Sequence, residues 1–145
     1  MFNRDIYVSA LSLLGLGVGG ENASDLEERA PYLIASFCCS AKEIDATLRK
    51  AEELGAQPSF NSVFLELDSE FPLCDRLSSC AALYVAAMLI IDEDPELSDS
   101  LYDKYCAAIA PFSSAISDIF SLDDEEIYDD SYAVCESIIE KYFFD

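Results

Sequence analysis

CAALYVAAMLII, running from Cys80 to Ile91, is the longest uninterrupted apolar stretch in this 145-residue chain. Its twelve residues fall well short of the roughly 20 that a membrane-spanning helix needs, so it reads as a helix buried in a protein core. Leu73, Leu77, Cys80, Tyr84, Met88 and Ile91 recur three or four positions apart, the spacing of one helix face. Ala81, Ala82, Ala86 and Ala87 leave room for neighbouring helices to approach closely. Pro72 suits a first helical turn, so a central helix is expected from Pro72 to Ile91.

On the C-terminal side, Asp94-Pro95-Glu96 opens a further helix, with Asp94 as N-cap and Pro95 at the first helical position. Leu97, Leu101, Tyr105 and Ile109 form its stripe, and Pro111 is expected to break or kink it. Ile116, Ile119 and Phe120 continue the helical pattern. Asp123-Asp-Glu-Glu126 then supplies an anionic cap for a last amphipathic segment through Ile127, Val134, Ile138 and Tyr142. Residues 111–145 hold ten acids and one lysine, a composition shift that marks an acidic C-terminal helical arm after a core of residues 1–110.

On the N-terminal side, Ile6, Ala10, Leu13 and Leu14 predict a short amphipathic helix over Asn3–Leu14, stopped by Gly15-Leu-Gly-Val-Gly-Gly20. The next helix is expected to start near Asp25, capped by Ser24 or Asp25, with Pro31 marking a kink or the true start. Its stripe is Leu33, Phe37, Ala41, Ile44, Leu48 and Ala51, and Gly55 closes it. Val63-Phe-Leu-Glu-Leu67 is β-prone, with Val63, Leu65 and Leu67 expected on one face of a short strand or hairpin arm. Such a strand serves equally as an edge against a neighbouring subunit. The fold class is therefore all-α: a bundle of four to five helices, one short β-prone loop and a C-terminal helical arm.

The charge excludes several functions. Aspartate and glutamate number 29 against 8 lysines and arginines, a formal net charge of −21, and there is no histidine. Histidine triads, histidine metal sites and imidazole acid–base catalysis are thereby excluded. Broad attraction to nucleic acid or an anionic membrane needs clustered cations, which are missing. The 52% hydrophobic content separates the chain from acidic disordered sequences. Arg4 and Asp5 precede the first apolar stretch without a basic cluster or a small-x-small cleavage pattern, so no secretory signal is expected. Cys38, Cys39, Cys74, Cys80, Cys106 and Cys135 include no C-x-x-C pair and sit mostly in helical apolar patterns. They are expected as buried free thiols in a reducing compartment.

No motif carries catalysis. Gly15–Gly20 formally matches G-x-G-x-x-G, but it follows a helical pattern with no strand before it, so a helix–helix connection is expected. Asp92–Asp99 alternates acids like a calcium loop, yet Leu97 occupies the position that needs glycine and Pro95 falls inside. Asp123–Asp130 holds six acids in eight residues, and its default reading is a solvated or partner-facing acidic surface. The serine pairs at 78–79 and 113–114 have no histidine partner and no G-x-S-x-G elbow. No catalytic residue, metal ligand or cofactor is assigned, and an enzyme is not expected.

The segment from Asp68 to Ile109, DSEFPLCDRLSSCAALYVAAMLIIDEDPELSDSLYDKYCAAI, resembles the helical hairpin of head–tail connector (head-completion or adaptor) proteins of tailed bacteriophages. The features in common are an Ala-rich central helix, an acidic turn of Asp-Pro-Glu character, and a second helix with Leu97, Leu101, Tyr102 and Tyr105. Glu27–Cys38, EERAPYLIASFC, is similar to the second helix of that family, and the resemblance spans about residues 3–110. It implies a helical virion adaptor, made in the bacterial cytoplasm, that forms a homo-oligomeric ring of commonly about twelve copies. Such a ring lies beneath the portal protein, extends the DNA channel without binding DNA specifically, and receives a tail or stopper protein. The acidic 111–145 arm departs from the family pattern.

Acidic walls repel phosphates and let a duplex slide, which suits a DNA conduit. Candidate partner-binding residues are Val63, Leu65 and Leu67 in the β-prone stretch, and Ile138, Ile139, Tyr142, Phe143 and Phe144 near the C-terminus. The C-terminal group serves equally to pack back on its own bundle. A reading from another class is an acidic DNA mimic or inhibitor that occupies a basic nucleic-acid site on a host protein.

Overall fold

In a computed structural model of the chain, the backbone is described for residues 1–123 and the side-chain surroundings for residues 1–114. Five helices account for most of it: α1 Asn3–Leu13, α2 Ala23–Ser40, α3 Lys42–Glu52, α4 Ser78–Ile90 and α5 Pro95–Asp123, with a single 3₁₀ turn at Asp75–Leu77 before α4. The expected all-α class is what the chain adopts. Two compact units divide between Tyr105 and Cys106. Among the described residues, no helix is long and apolar enough to cross a membrane.

Within the first unit, α4 is the central element, packed against both α1 and α2. It is apolar nearly all round, with Cys80, Ala81, Ala82, Val85, Ala86, Ala87, Leu89 and Ile90 buried. Burying one large aliphatic side chain contributes about 1.5–3 kcal/mol, so such a helix has its stability from packing rather than propensity. Against α4 stand Ile6, Tyr7, Ala10 and Leu11 of α1, and Leu26, Ala30, Ile34 and Phe37 among the buried residues of α2. Leu13 is exposed instead of buried, because the inward stripe of α1 runs through Tyr7 and Leu11. Ile91 is likewise exposed at the end of α4.

The glycine run is the α1–α2 connection, as its helical context implies. Gly15 has φ +71°, its N–H donates to the Ser12 carbonyl, and the Leu16 N–H donates to the Leu11 carbonyl. That pair of bonds is a Schellman closure, which satisfies helix-end carbonyls and favours glycine at the left-handed position.

Five points differ from the sequence expectation. The helix expected from Asp25 past residue 50 is two helices, α2 and α3, separated at Ala41. Its Pro31 neither starts nor ends it: α2 runs through a buried Pro31. The lost backbone bond is outweighed by the apolar contacts that α2 makes with α4. α3 closes on Glu53 in the left-handed conformation, φ 57°, rather than on Gly55. The central helix begins at the 3₁₀ turn, with Pro72 in the irregular segment before it. Pro111 does not break α5, which continues to Asp123. At its start α5 behaves as expected, the Leu97 N–H donating to Asp94 Oδ1 at 3.1 Å.

Candidate interaction surface

Between α3 and the 3₁₀ turn, residues 53–74 have no helix and, against expectation, no strand. Leu65 and Leu67 are buried, whereas Val63 is 63% exposed, so these three residues do not share one face. The reason is local. Asn61 Oδ1 accepts from the N–H groups of Val63 and Phe64 at 2.9 and 3.2 Å, turning the chain at the segment's outer end. From Phe64 onward the side chains alternate, with Phe64 and Glu66 outward and Leu65 and Leu67 inward.

The backbone of this segment completes two helices instead of pairing as a sheet. It runs along the outer face of α2: Cys39 Sγ donates to the Ser62 carbonyl at 3.3 Å, and the Leu65 N–H donates to the Pro31 carbonyl at 3.2 Å. It then covers the start of α1, where the Arg4 and Asn3 N–H groups donate to the carbonyls of Leu67 and Ser69 at 2.8 and 2.9 Å. Those are orphan donors of a first helical turn, normally met by a cap residue. The Asp5 carboxylate accepts the Phe2 N–H at 2.8 Å, and Asn3 Nδ2 donates to the Glu66 carbonyl at 2.9 Å. The isolated antiparallel bridge Phe2–Glu70 lies beyond the stretch of residues 63–67 where a strand was expected.

Two polar clamps hold the segment. The first is the fully buried carboxylate of Asp45 in α3. Its Oδ2 accepts from Arg49 Nε at 2.8 Å and Gln57 Nε2 at 2.7 Å, and its Oδ1 accepts the Cys74 N–H at 2.7 Å. Arg49 also donates to the Pro72 carbonyl at 3.2 Å. The second is Arg4, whose Nε pairs with Asp68 at 2.9 Å and whose second guanidinium nitrogen pairs with Glu27 of α2 at 3.0 Å. Arg4 holds the Asp68 carboxyl below the usual aspartate range through a hydrogen bond and its charge.

Clamped in this way, the segment presents an aromatic surface. The Phe64 ring meets Tyr32 of α2 edge-on, with centroids 5.1 Å apart and planes at 74°. Tyr32 is 54% exposed and Phe64 36%, with Val63 beside them. Of the sequence candidates, then, Val63 lies at the surface, and Leu65 and Leu67 are anchors buried in their own chain. Ile138, Ile139, Tyr142, Phe143 and Phe144 lie outside the described residues, as does most of the Asp123–Asp130 cluster. Sequence reasoning missed Tyr32, Phe64, Asp45 and Arg4. Only the Asp45–Arg49 spacing of four gave any local sign of a pair.

Elsewhere the chemistry is sparse. A groove of about 400 Å³ between α1 and α4 is floored by Ile6, Ala82 and Leu83 and edged by Ser9, Ser12, Ser78 and Ser79. Among the described residues, no lysine, histidine or carboxylate lines it to activate its hydroxyls. Cys38, Cys74 and Cys80 are free and buried; burial pushes the Cys80 thiol up to about 11 and raises Cys38 further, which keeps both protonated. Among the described residues, no group of three or more histidine, cysteine, aspartate or glutamate side chains is arranged to hold a metal ion. The chain matches no protein-family profile, no curated protein and no solved structure.

Proposed function

We propose that the protein is a structural component of a phage virion, a head–tail connector that assembles as a ring beneath the portal, extends the DNA channel and receives the tail. The observation that carries this reading is the α4–α5 hairpin. An Ala-rich helix, Ser78–Ile90, leads through an acidic turn to a helix capped by Asp94 and opened by Pro95, in the stretch that resembles the connector family. The acid surplus supports it further, because a wall of carboxylates repels phosphates and does not trap a passing duplex. In this role the chain binds and positions, with no catalytic step and no cofactor, at the head–tail junction of the virion.

The same surplus of 21 negative charges favours a second reading, an acidic mimic of DNA that occupies a basic nucleic-acid site on a host protein. Native mass spectrometry of the full chain, alone and mixed with portal and tail proteins encoded beside it, separates the two. A ring, or assembly on addition of portal, supports the connector. A chain that stays monomeric or dimeric and ignores both neighbours overturns it, and capture of a nucleic-acid-binding protein then supports the mimic.

A further inference from the structure

The aromatic surface on α2 has a repeated composition. Glu28 and Tyr32 are four residues apart on α2, hence neighbours on one helix face, and both are exposed. Phe64 and Glu66 are two apart in the extended segment, hence on its same side, and both point outward. Two aromatic–carboxylate pairs therefore lie side by side, joined by the Tyr32–Phe64 contact. Neither Glu28 nor Glu66 has an ion pair with its side chain among the described residues. Val63 projects beside them, held out by the Asn61 turn.

We propose that Tyr32, Val63 and Phe64, with Glu28 and Glu66, form a docking surface for a partner protein whose contact segment carries an apolar side chain flanked by arginine or lysine. An arginine stacks on an aromatic face and pairs with a carboxylate at once, which is the combination each pair offers. The apolar side chain fills the space against Val63 and Phe64. Because the Asn61 turn, the Pro31 bond and the Asp45 clamp already hold the loop, little ordering entropy remains to be lost on binding.

The occupant is not a second copy of this chain. Five of the eight cations are engaged within their own fold: Arg4 with Glu27 and Asp68, Arg29 on the carbonyls of Met88 and Leu89, Lys42 over the Phe60 ring, Arg49 with Asp45, and Arg76 with Glu52. A copy thus brings few free cations to this acid-rimmed surface. The inference rests on this surface alone and not on the connector reading.

The test is amide chemical-shift mapping on the full-length protein with three synthetic peptides: Arg-Leu-Arg flanked by glycines, the same peptide with leucine replaced by serine, and the same peptide with both arginines replaced by glutamate. The first is expected to shift residues 28–36 and 61–67, and the other two to bind about tenfold more weakly or not at all. Val63→Asp, at an exposed position and with its fold checked by circular dichroism, and Glu28→Lys are each expected to weaken the first peptide about tenfold. Shifts spread over the whole acidic surface, or binding unchanged in both variants, overturn the proposal. So does sedimentation showing that the wild type self-associates and Val63→Asp does not, since the occupant is then a second copy.

Discussion

The Asp45 carboxylate accepts a hydrogen bond from the Cys74 backbone N–H at 2.7 Å, joining residues 29 positions apart in sequence. Its other oxygen takes Arg49 from the same helix and Gln57 from the opposite end of the intervening segment. One buried charge thereby fixes where the segment leaves α3 and where it re-enters the bundle. The aromatic surface at the segment's outer end depends on that fixation.

Asp45→Ala is expected to destabilise the protein by about 2–4 kcal/mol, because it leaves the Cys74 N–H buried without an acceptor and Arg49 without its partner. Urea unfolding gives the magnitude. Hydrogen exchange is expected to quicken in residues 57–74 well before it does in α4. Uniform loosening of all helices in the variant would instead mean that Asp45 does not act through the segment.

The Arg4–Asp68 pair predicts a pH dependence with a definite sign. The folded carboxyl titrates below its unfolded value of about 3.9. Its contribution to stability is therefore fully present above that value and is lost as pH falls through the lower, folded one. Carboxyl NMR titration is expected to place Asp68 below the usual aspartate range, and Arg4→Met to return it to that range. An Asp68 titration that Arg4→Met does not move would mean the pair does not form in solution.

Glu53 ends α3 at φ 57°, where a side chain with a Cβ is disfavoured and the Leu54 N–H closes back on the Arg49 carbonyl at 2.9 Å. Glu53→Gly is expected to raise stability by about 0.5–1 kcal/mol, the relief of the left-handed strain exceeding the added entropy of the unfolded glycine. A higher thermal midpoint checks it. A lower midpoint would show that the Glu53 side chain contributes more than its backbone conformation costs.

What could be read in advance was whatever is written within four residues. The apolar run of Cys80–Ile91, the three-to-four spacing in α1 and the Asp94-Pro95 opening of α5 each announce a helix, because helix hydrogen bonds and caps join residues three and four apart. Pro31 and Pro111 were less legible for the complementary reason. Their local cost is real, but whether a helix starts at Pro31 or runs through it depends on packing that α2 makes with a helix some fifty residues away in sequence.

The interaction surface was the least legible part. Val63, Leu65 and Leu67 have the alternation of a strand, and alternation does not say which partner takes the backbone groups. Here α1 and α2 take them, through Asn3 bonded to Glu66 and Ser69, Arg4 to Leu67, and Leu65 to Pro31.

By itself, then, the sequence determined an acidic, histidine-free, all-α protein built around the 80–91 helix, since composition and local periodicity suffice for that. The tertiary structure alone decided that residues 53–74 form a clamped loop rather than a strand, with Leu65 and Leu67 inside and Val63, Phe64 and Tyr32 outside. The loop's placement rests on bonds between residues far apart in sequence, such as Cys39 to Ser62 and Arg4 to Asp68, which leave no periodic trace along the chain.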